Sequence, residues 1–527
     1  MSHWSAAPMD RNQVVLFAPT LEQSLADDHP VRLFAETLAA LDFAEWERAY
    51  VRVVGQPPIH PRVLAGCILY GLTLGVRSSR RLEDAAANRL DFIWLLEGRV
   101  PDHATICKFR TAFGPEIKSL FRQVGRVGIE LGLVALNRVM LDGTHVQASN
   151  SRYATRRRAS LQEKLDALDA QVERLLAEAD AQDRADAELF GGGGDDEGSP
   201  AKLPRPLRDL KARQDRLKRA MANLEEMERE RRDRGQSRGP AVPTSDPDAR
   251  VLPAKQGGYA PGYTTVLATD AKSGFVLDAQ VIAGNDEPST VLPAIEHVEE
   301  NFGRRPDELI TDSGFNSGPN LQGLAERGVT PLMPPRQAAD ASAARRPDPA
   351  EPVPEADRGR LPVNPQSKTL DRAAFVYDPA ADRYHCPMGK PMARAGDKPY
   401  DRHGTKGTYR VYESPGCGGC PLAGICLGPG KASADRGEAS AGKAKVRRVC
   451  RDEYEELRER MAERMQSEAG RAAYRRRGPV AEAAFATLKA VMDVRQYLLR
   501  GLEKVRIETD WAVTALNLTK LIRLTAR

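Results

Sequence analysis

Apolar residues recur at helical spacing through about the first 130 positions of the chain. Val63, Leu64, Cys67, Ile68 and Leu72 fall on one face of a helix that Pro61 opens. Ser78 and Ser79 offer a cap to a second helix, and Asp102, after Pro101, to a third. Short helices joined by turns suit a helix-turn-helix-like DNA-binding bundle and a plain helical domain equally well. The period then shortens. RVMLDGTHVQA (138–148) reads as a strand, and YTTVLATD (263–270) with GFVLDAQVI (274–282) reads as a hairpin around an Ala-Lys-Ser-Gly turn. Pro288 opens a helix through Glu300 that carries Val291, Ile295 and Val298 on one face. DELITD (307–312) is the next strand, followed by a short helix near 318–327 and a strand VTPLM (329–333). The predicted core is α/β with a mixed sheet: three meander strands, then strand, helix and strand.

Two kinds of segment interrupt that order. Within about 155–235, Leu161, Leu165, Leu168, Val172 and Leu175 keep a coiled-coil rhythm, and Leu210, Leu217 and Leu224 repeat every seven residues. The break GGGGDDEGSP lies between them, so an antiparallel helical hairpin is predicted, with a structural role. Residues 336–375 are poor in large apolar side chains and read as a linker. A Cys-bearing module and a second linker fill 376–445, and helices occupy 446–527. The domain plan is therefore a helical domain at 1–130, a core at 131–335 carrying the hairpin, the linker and Cys module, and a helical C-terminal part.

Composition adds less. The formal net charge of +5 does not announce a nucleic-acid partner, although arginines cluster at 156–158, 231–232 and 475–477. The first residues lack the basic start and apolar stretch of a signal peptide. No apolar run approaches the ~18 residues of a membrane span, so the expectation is a cytoplasmic protein with no membrane partner. Seven cysteines in 527 residues do not make a disulfide framework.

The candidate chemistry is acidic and thiol. Asp142 is read as ending its strand before Gly143, and Asp312 as ending another before Ser313 and Gly314. Strand ends are where open α/β sheets bind ligands, though a lone Asp there is also an ordinary turn residue. Glu482 lies in PVAEAAFATLKAVM, a helix whose buried stripe is Ala481, Phe485, Leu488 and Met492, with Lys489 on the glutamate's side of that stripe. Carboxylates on rigid elements suffice to hold Mg²⁺ or Mn²⁺. Cys386, Cys417, Cys420 and Cys426, with a Cys-x-x-Cys pair among them, suit a structural Zn²⁺ site, with His385 and Cys450 as substitute ligands. Cys67 and Cys107 read as helix-core residues.

LDGTHVQASNS, ITDSGFNS and YRRRGPVAEAAFATLK, in that order, resemble the D…D…E motifs of bacterial insertion-sequence transposases with an RNase H-like catalytic core. SSRRLEDAAANRLDFIWLLEG with PDHATICKFR is similar to their N-terminal region, and RQYLLRGLEKVRIETDWAVTALNLTKL to their C-terminal helices. The resemblance implies that Asp142, Asp312 and Glu482 hold catalytic Mg²⁺ or Mn²⁺. It also implies that Tyr474, Arg477 and Lys489 bind DNA, the two cations at transposon-end phosphates. The interval from Arg477 to Glu482 is one residue longer than in the best-known form of that signature. Terminal inverted repeats and target DNA are the implied partners, in a complex at least dimeric. A catalytically dead DNA-binding protein and a structure-specific nuclease on the same fold are the other readings of these residues.

Overall fold

In the computed structural model, Ser78 accepts the N–H of Arg81, and Asp102 accepts those of Ala104 and Thr105, so both predicted caps start helices. The structure describes residues 20–48, 58–190, 205–233, 235–236, 239–254, 257–335, 342–344, 346–402, 405–428 and 446–525. The break at 191–200 and most of the second linker lie outside these residues. The chain divides into two units: Met1–Arg231, Ser237–Asp307 and Arg476–Arg527 form the first, and Arg232–Gln236 and Glu308–Arg475 the second.

The first unit begins with α1 (Pro30–Ala39), α2 (Ala44–Arg48), α3 (Pro61–Thr73), α4 (Ser79–Asn88), α5 (Leu90–Leu95), α6 (His103–Ala112) and α7 (Gly114–Glu130). It continues with β1 (Arg138–Gln147), β2 (Thr155–Arg156), α8 (Arg158–Phe190), α9 (Arg205–Asp233), β3 (Val242–Pro243), β4 (Arg250–Pro253), β5 (Tyr259–Asp270), β6 (Val276–Ile282) and α10 (Val291–Phe302). It closes with α15 (Arg477–Ala486) and α16 (Leu502–Thr525).

β5 is buried along almost its whole length because it has neighbours on both edges. It pairs antiparallel with β1, from Val139 opposite Asp270 to Gln147 opposite Gly262, and antiparallel with β6 and β4. The three predicted meander strands are therefore present. β4 was not foreseen, being four residues long and ending in Pro253.

The N-terminal helices pack on α16. Trp46, fully buried, stacks on Phe113 at 5.2 Å and meets Trp511 of α16 edge-on at 5.8 Å. The Trp511 indole N–H donates to the carbonyl of Arg110 at 3.1 Å. α3 is buried from Leu64 through Leu72, not on one face alone. Cys67 lies in this core as expected. Cys107 does not: it is exposed, because α6 buries Ile106, Phe109 and Arg110 instead.

α8 and α9 run antiparallel, with Arg158 donating to Glu228 at 2.7 Å and Gln214 to Asp169 at 2.6 Å. Leu161, Leu165, Leu168, Leu217, Met221 and Leu224 form a core of their own, as the heptads predicted. Below it β2 pairs antiparallel with β3 and closes the base.

The second unit holds β7 (Glu308–Ile310), α11 (Gly318–Glu326) and β8 (Thr330–Leu332), with β7 and β8 parallel. It also holds β9 (Val376–Asp378), β10 (Arg383–His385), β11 (Pro391–Arg402), β12 (Thr405–Glu413), α12 (Ala423–Leu427), β13 (Arg448–Arg451), α13 (Glu455–Gln466) and α14 (Glu468–Arg475). β9 to β13 form a second, antiparallel sheet in sequence order. Much of the stretch read as a linker is built into this unit: Val353, Leu361, Leu370 and Ala374 are buried with Tyr384, Met392, Tyr412 and Val449. Small apolar side chains spaced between prolines are enough to cover a sheet, though they leave no periodic signal. With antiparallel and parallel pairs both present, the fold is mixed α/β, consistent with the expected RNase H-like core.

Candidate active site

Alternate side chains of a strand share a face, so Asp142, Thr144 and Val146 of β1 point one way and Gly143 the other. Gly143 answers to a close approach, because a Cβ there would fall 2.4 Å from Glu287 Oε1. Asp142 does not end its strand. It sits opposite Leu267, with pairing continuing through Gln147, because β5 runs on beside it.

α15 lies against that face. Pro479 is its third residue, and Ala481, Ala484 and Phe485 are buried. The helical run continues as a π turn over Thr487–Val491, so Leu488 and Met492 complete the predicted stripe. Both ends of the run are tied to β1. Arg477 Nη2 donates to Asp142 Oδ1 at 2.9 Å. Lys489 Nζ donates to Thr144 Oγ1 at 2.5 Å and to the carbonyl of His145 at 3.0 Å. Glu482 lies between these anchors in sequence and is exposed. Its Oε1 would be 3.8 Å from a Cβ on Gly478, so the side chain leans toward the helix start, where Arg477 meets Asp142.

Beyond the helix the chain turns at Asp493 and runs parallel to the end of β1. Gln147 donates its N–H to Arg495 at 3.1 Å, and Tyr497 donates its own to Gln147 at 2.8 Å. The Tyr497 hydroxyl is 2.6 Å from Thr265 Oγ1 and 3.0 Å from Thr509 Oγ1. Arg77, buried, donates to Glu508 at 2.7 Å and to the carbonyl of Gln496 at 2.9 Å. Glu508 also accepts the N–H groups of Leu498 and Leu499. Sequence reasoning missed Tyr497, Arg77 and Glu508, whose sign was a charge or hydroxyl placed within apolar surroundings.

Asp312 and Tyr474 belong to the second unit. Asp312 follows β7 by two residues, as expected of a strand end. Its Oδ1 accepts the N–H of Gly314 at 2.7 Å and caps the turn over Ser313–Phe315. Tyr474 is half-buried on α14.

The four cysteines come from three segments to line one cavity of ≈ 20 Å³, with Leu370, Met388 and Arg447. The backbone N–H of Arg447 reaches Cys417 Sγ at 3.4 Å. Zinc nevertheless gains no support. Among the described residues no three His, Cys, Asp or Glu side chains are arranged to hold a metal ion. Burial pushes the Cys386 thiol up and that of Cys426 to about 11. The proposed substitutes are elsewhere, since neither His385 nor Cys450 lines the cavity. His385 Nδ1 faces the carbonyl of Gly389, and Cys450 is exposed on β13.

Among the described residues no helix is long and apolar enough to cross a membrane. Residues 385–522 match the family model described as a transposase DDE domain, and residues 19–112 match that described as a transposase domain (DUF772). The first range includes the four-cysteine cavity, Glu482 and most of α16, and the second covers α1 to α6. No curated protein matches the chain. The two family matches, carried on a mixed α/β fold, make the chain similar to insertion-sequence DDE transposases over these two ranges.

Proposed function

We infer that the chain catalyses DNA cleavage and strand transfer at transposon ends, using divalent metal ions held by Asp142, Asp312 and Glu482. The observation that carries this reading is the tie between α15 and β1. Arg477 and Lys489 fasten the helix along residues 142–145, and Glu482 leans toward the end where Asp142 lies. The donors fit Mg²⁺ or Mn²⁺ in chemistry, being carboxylate oxygens on regular elements. Asp142 and Glu482 belong to the first unit and Asp312 to the second.

When bound, a pair of such ions activates the attacking oxygen and stabilises the leaving one. The chain's own part is positional. Asp142 and Glu482 present oxygen donors from a strand and a helix that Lys489 keeps in register. In cleavage, water attacks the phosphodiester at the transposon end, and the P–O bond to the 3′ oxygen breaks to give a free 3′-OH. In strand transfer that hydroxyl attacks a target phosphate in line and displaces the target's own 3′ oxygen. The N-terminal helices would bind the terminal inverted repeats of double-stranded DNA. Two ends joined in one complex call for at least a homodimer. The test is a strand-transfer assay on Asp142→Asn, Asp312→Asn and Glu482→Gln. Each should lose activity by two orders of magnitude or more, and full activity in any one removes that residue from the triad.

A further inference from the structure

The contact between Arg477 and Asp142 raises a question of charge. The two side chains are only 15% and 16% exposed, and the guanidinium sits 2.9 Å from Oδ1. A carboxylate so shielded is costly without a counter-charge. Arg477 is the first residue of α15, whose first turn contains no acidic side chain. A cation there opposes the helix dipole, which favours negative charge at that end. Arg477 is therefore not placed for the sake of its helix; its local compensation is Asp142.

We propose that Arg477 is the resident counter-cation of Asp142 in the metal-free enzyme, and that it must withdraw before Asp142 can take a divalent ion. This rests on the reading of Asp142 as a metal-holding acid. An ion ~2 Å from the carboxylate would stand within a few ångströms of the guanidinium, with like charges in a half-buried site. The two cations compete for one anion, and the loser is displaced. Withdrawal has a second effect. The freed guanidinium becomes a donor for a DNA phosphate beside the loaded site, so that metal loading and end contact are coupled through one side chain. Arg477 acts here as a positioning residue for Asp142.

The experiment measures Mn²⁺ affinity of the full-length protein by electron paramagnetic resonance, with no DNA present, for the wild type, Arg477→Gln, Arg477→Lys, Asp142→Asn and the Asp142→Asn/Arg477→Gln double variant. Arg477→Gln should bind Mn²⁺ on the order of tenfold more tightly, the scale of one charge-assisted hydrogen bond. Arg477→Lys should gain a smaller factor, because a flexible ammonium leaves the carboxylate more easily. Arg477→Gln should also lower the salt dependence of transposon-end binding by about one counterion. The gain in Mn²⁺ affinity should vanish in the double variant. Should Arg477→Gln not fold, as judged by circular dichroism, the lysine variant reads the same quantity. Unchanged or weaker Mn²⁺ binding in whichever variant folds, while Asp142→Asn binds less, overturns the counter-cation role and leaves the triad standing. If Asp142→Asn binds Mn²⁺ as well as the wild type, the reading of Asp142 as a metal acid fails and this inference falls with it.

Discussion

Asp142 and Asp510 show what surroundings do to one residue type. Asp142 meets a guanidinium. Asp510, on α16, is dominated by burial, which pushes its carboxyl up to about 7 against the opposing pull of Lys118. An acid whose folded pKa lies above its ordinary value of ~3.9 adds stability only while protonated. That contribution is complete below about pH 4 and is lost as pH rises through about 7. Asp510→Asn should therefore melt like the wild type near pH 4 and several degrees higher near pH 8. A constant difference across that range would deny the burial effect. Residue-level reading of the sequence was strongest where one physical role sufficed, as in the caps Ser78 and Asp102 and the stripe through Ala481, Phe485, Leu488 and Met492. It failed at Asp142, because Gly143 signals a turn and a close approach with the same letter. At the cysteines it brought Cys386, Cys417, Cys420 and Cys426 together correctly as one cluster, which lines one cavity.

Among elements, legibility followed burial on one face. α10 and the α8–α9 pair each bury one face or seam and their periods were visible, whereas β5, buried on both faces, was read from its β-forming residues between turn signals. β11 is largely exposed and β12 mostly half-buried, each with one core side chain, Met392 and Tyr412, so PMARAGDKPYDR and TKGTYRVYE were read only as part of a Cys module. Their order comes from cross-strand pairing, from Ala393 opposite Glu413 to Arg402 opposite Thr405. The α8–α9 pair has a core separate from the rest of its unit, which makes its stability local. Leu224→Ala removes a fully buried side chain from that core and should cost about 2–5 kcal/mol. Hydrogen exchange should quicken in α8 and α9 and stay unchanged in β1 and β5. Slower exchange lost from the strands as well would show that the hairpin and the sheet unfold as one.

At the scale of the whole chain, the matched N-terminal region and the matched C-terminal region meet in the first unit. Arg77 follows α3 and Glu508 lies on α16, both nearly buried, and the pair also organises the carbonyls and N–H groups of residues 493–499. The helices proposed to bind transposon ends are therefore fastened to the segment that continues from Glu482. Arg77→Ala would leave Glu508 buried without its counter-charge, at a cost of about 3–5 kcal/mol. Glu508→Gln keeps an acceptor for Leu498 and Leu499 and should cost less. Urea midpoints of the two variants would reverse in order if the backbone contacts, and not the ion pair, dominated. None of this was legible beforehand, since a partner more than 400 positions away leaves no periodic trace.

The α8–α9 hairpin has a consequence for the order in which this chain can fold. β1 leaves the ribosome long before β5, and the two strands that must pair are separated by more than a hundred residues. Closing so long a loop is slow. The hairpin is complete first, with its own leucine seam, and its base brings Thr155 beside Pro243. The chain between the strands is then short in effect, because most of it is already folded back on itself. A segment with no acid and no thiol of the candidate sites thus hastens the strand pairing on which Asp142 rides.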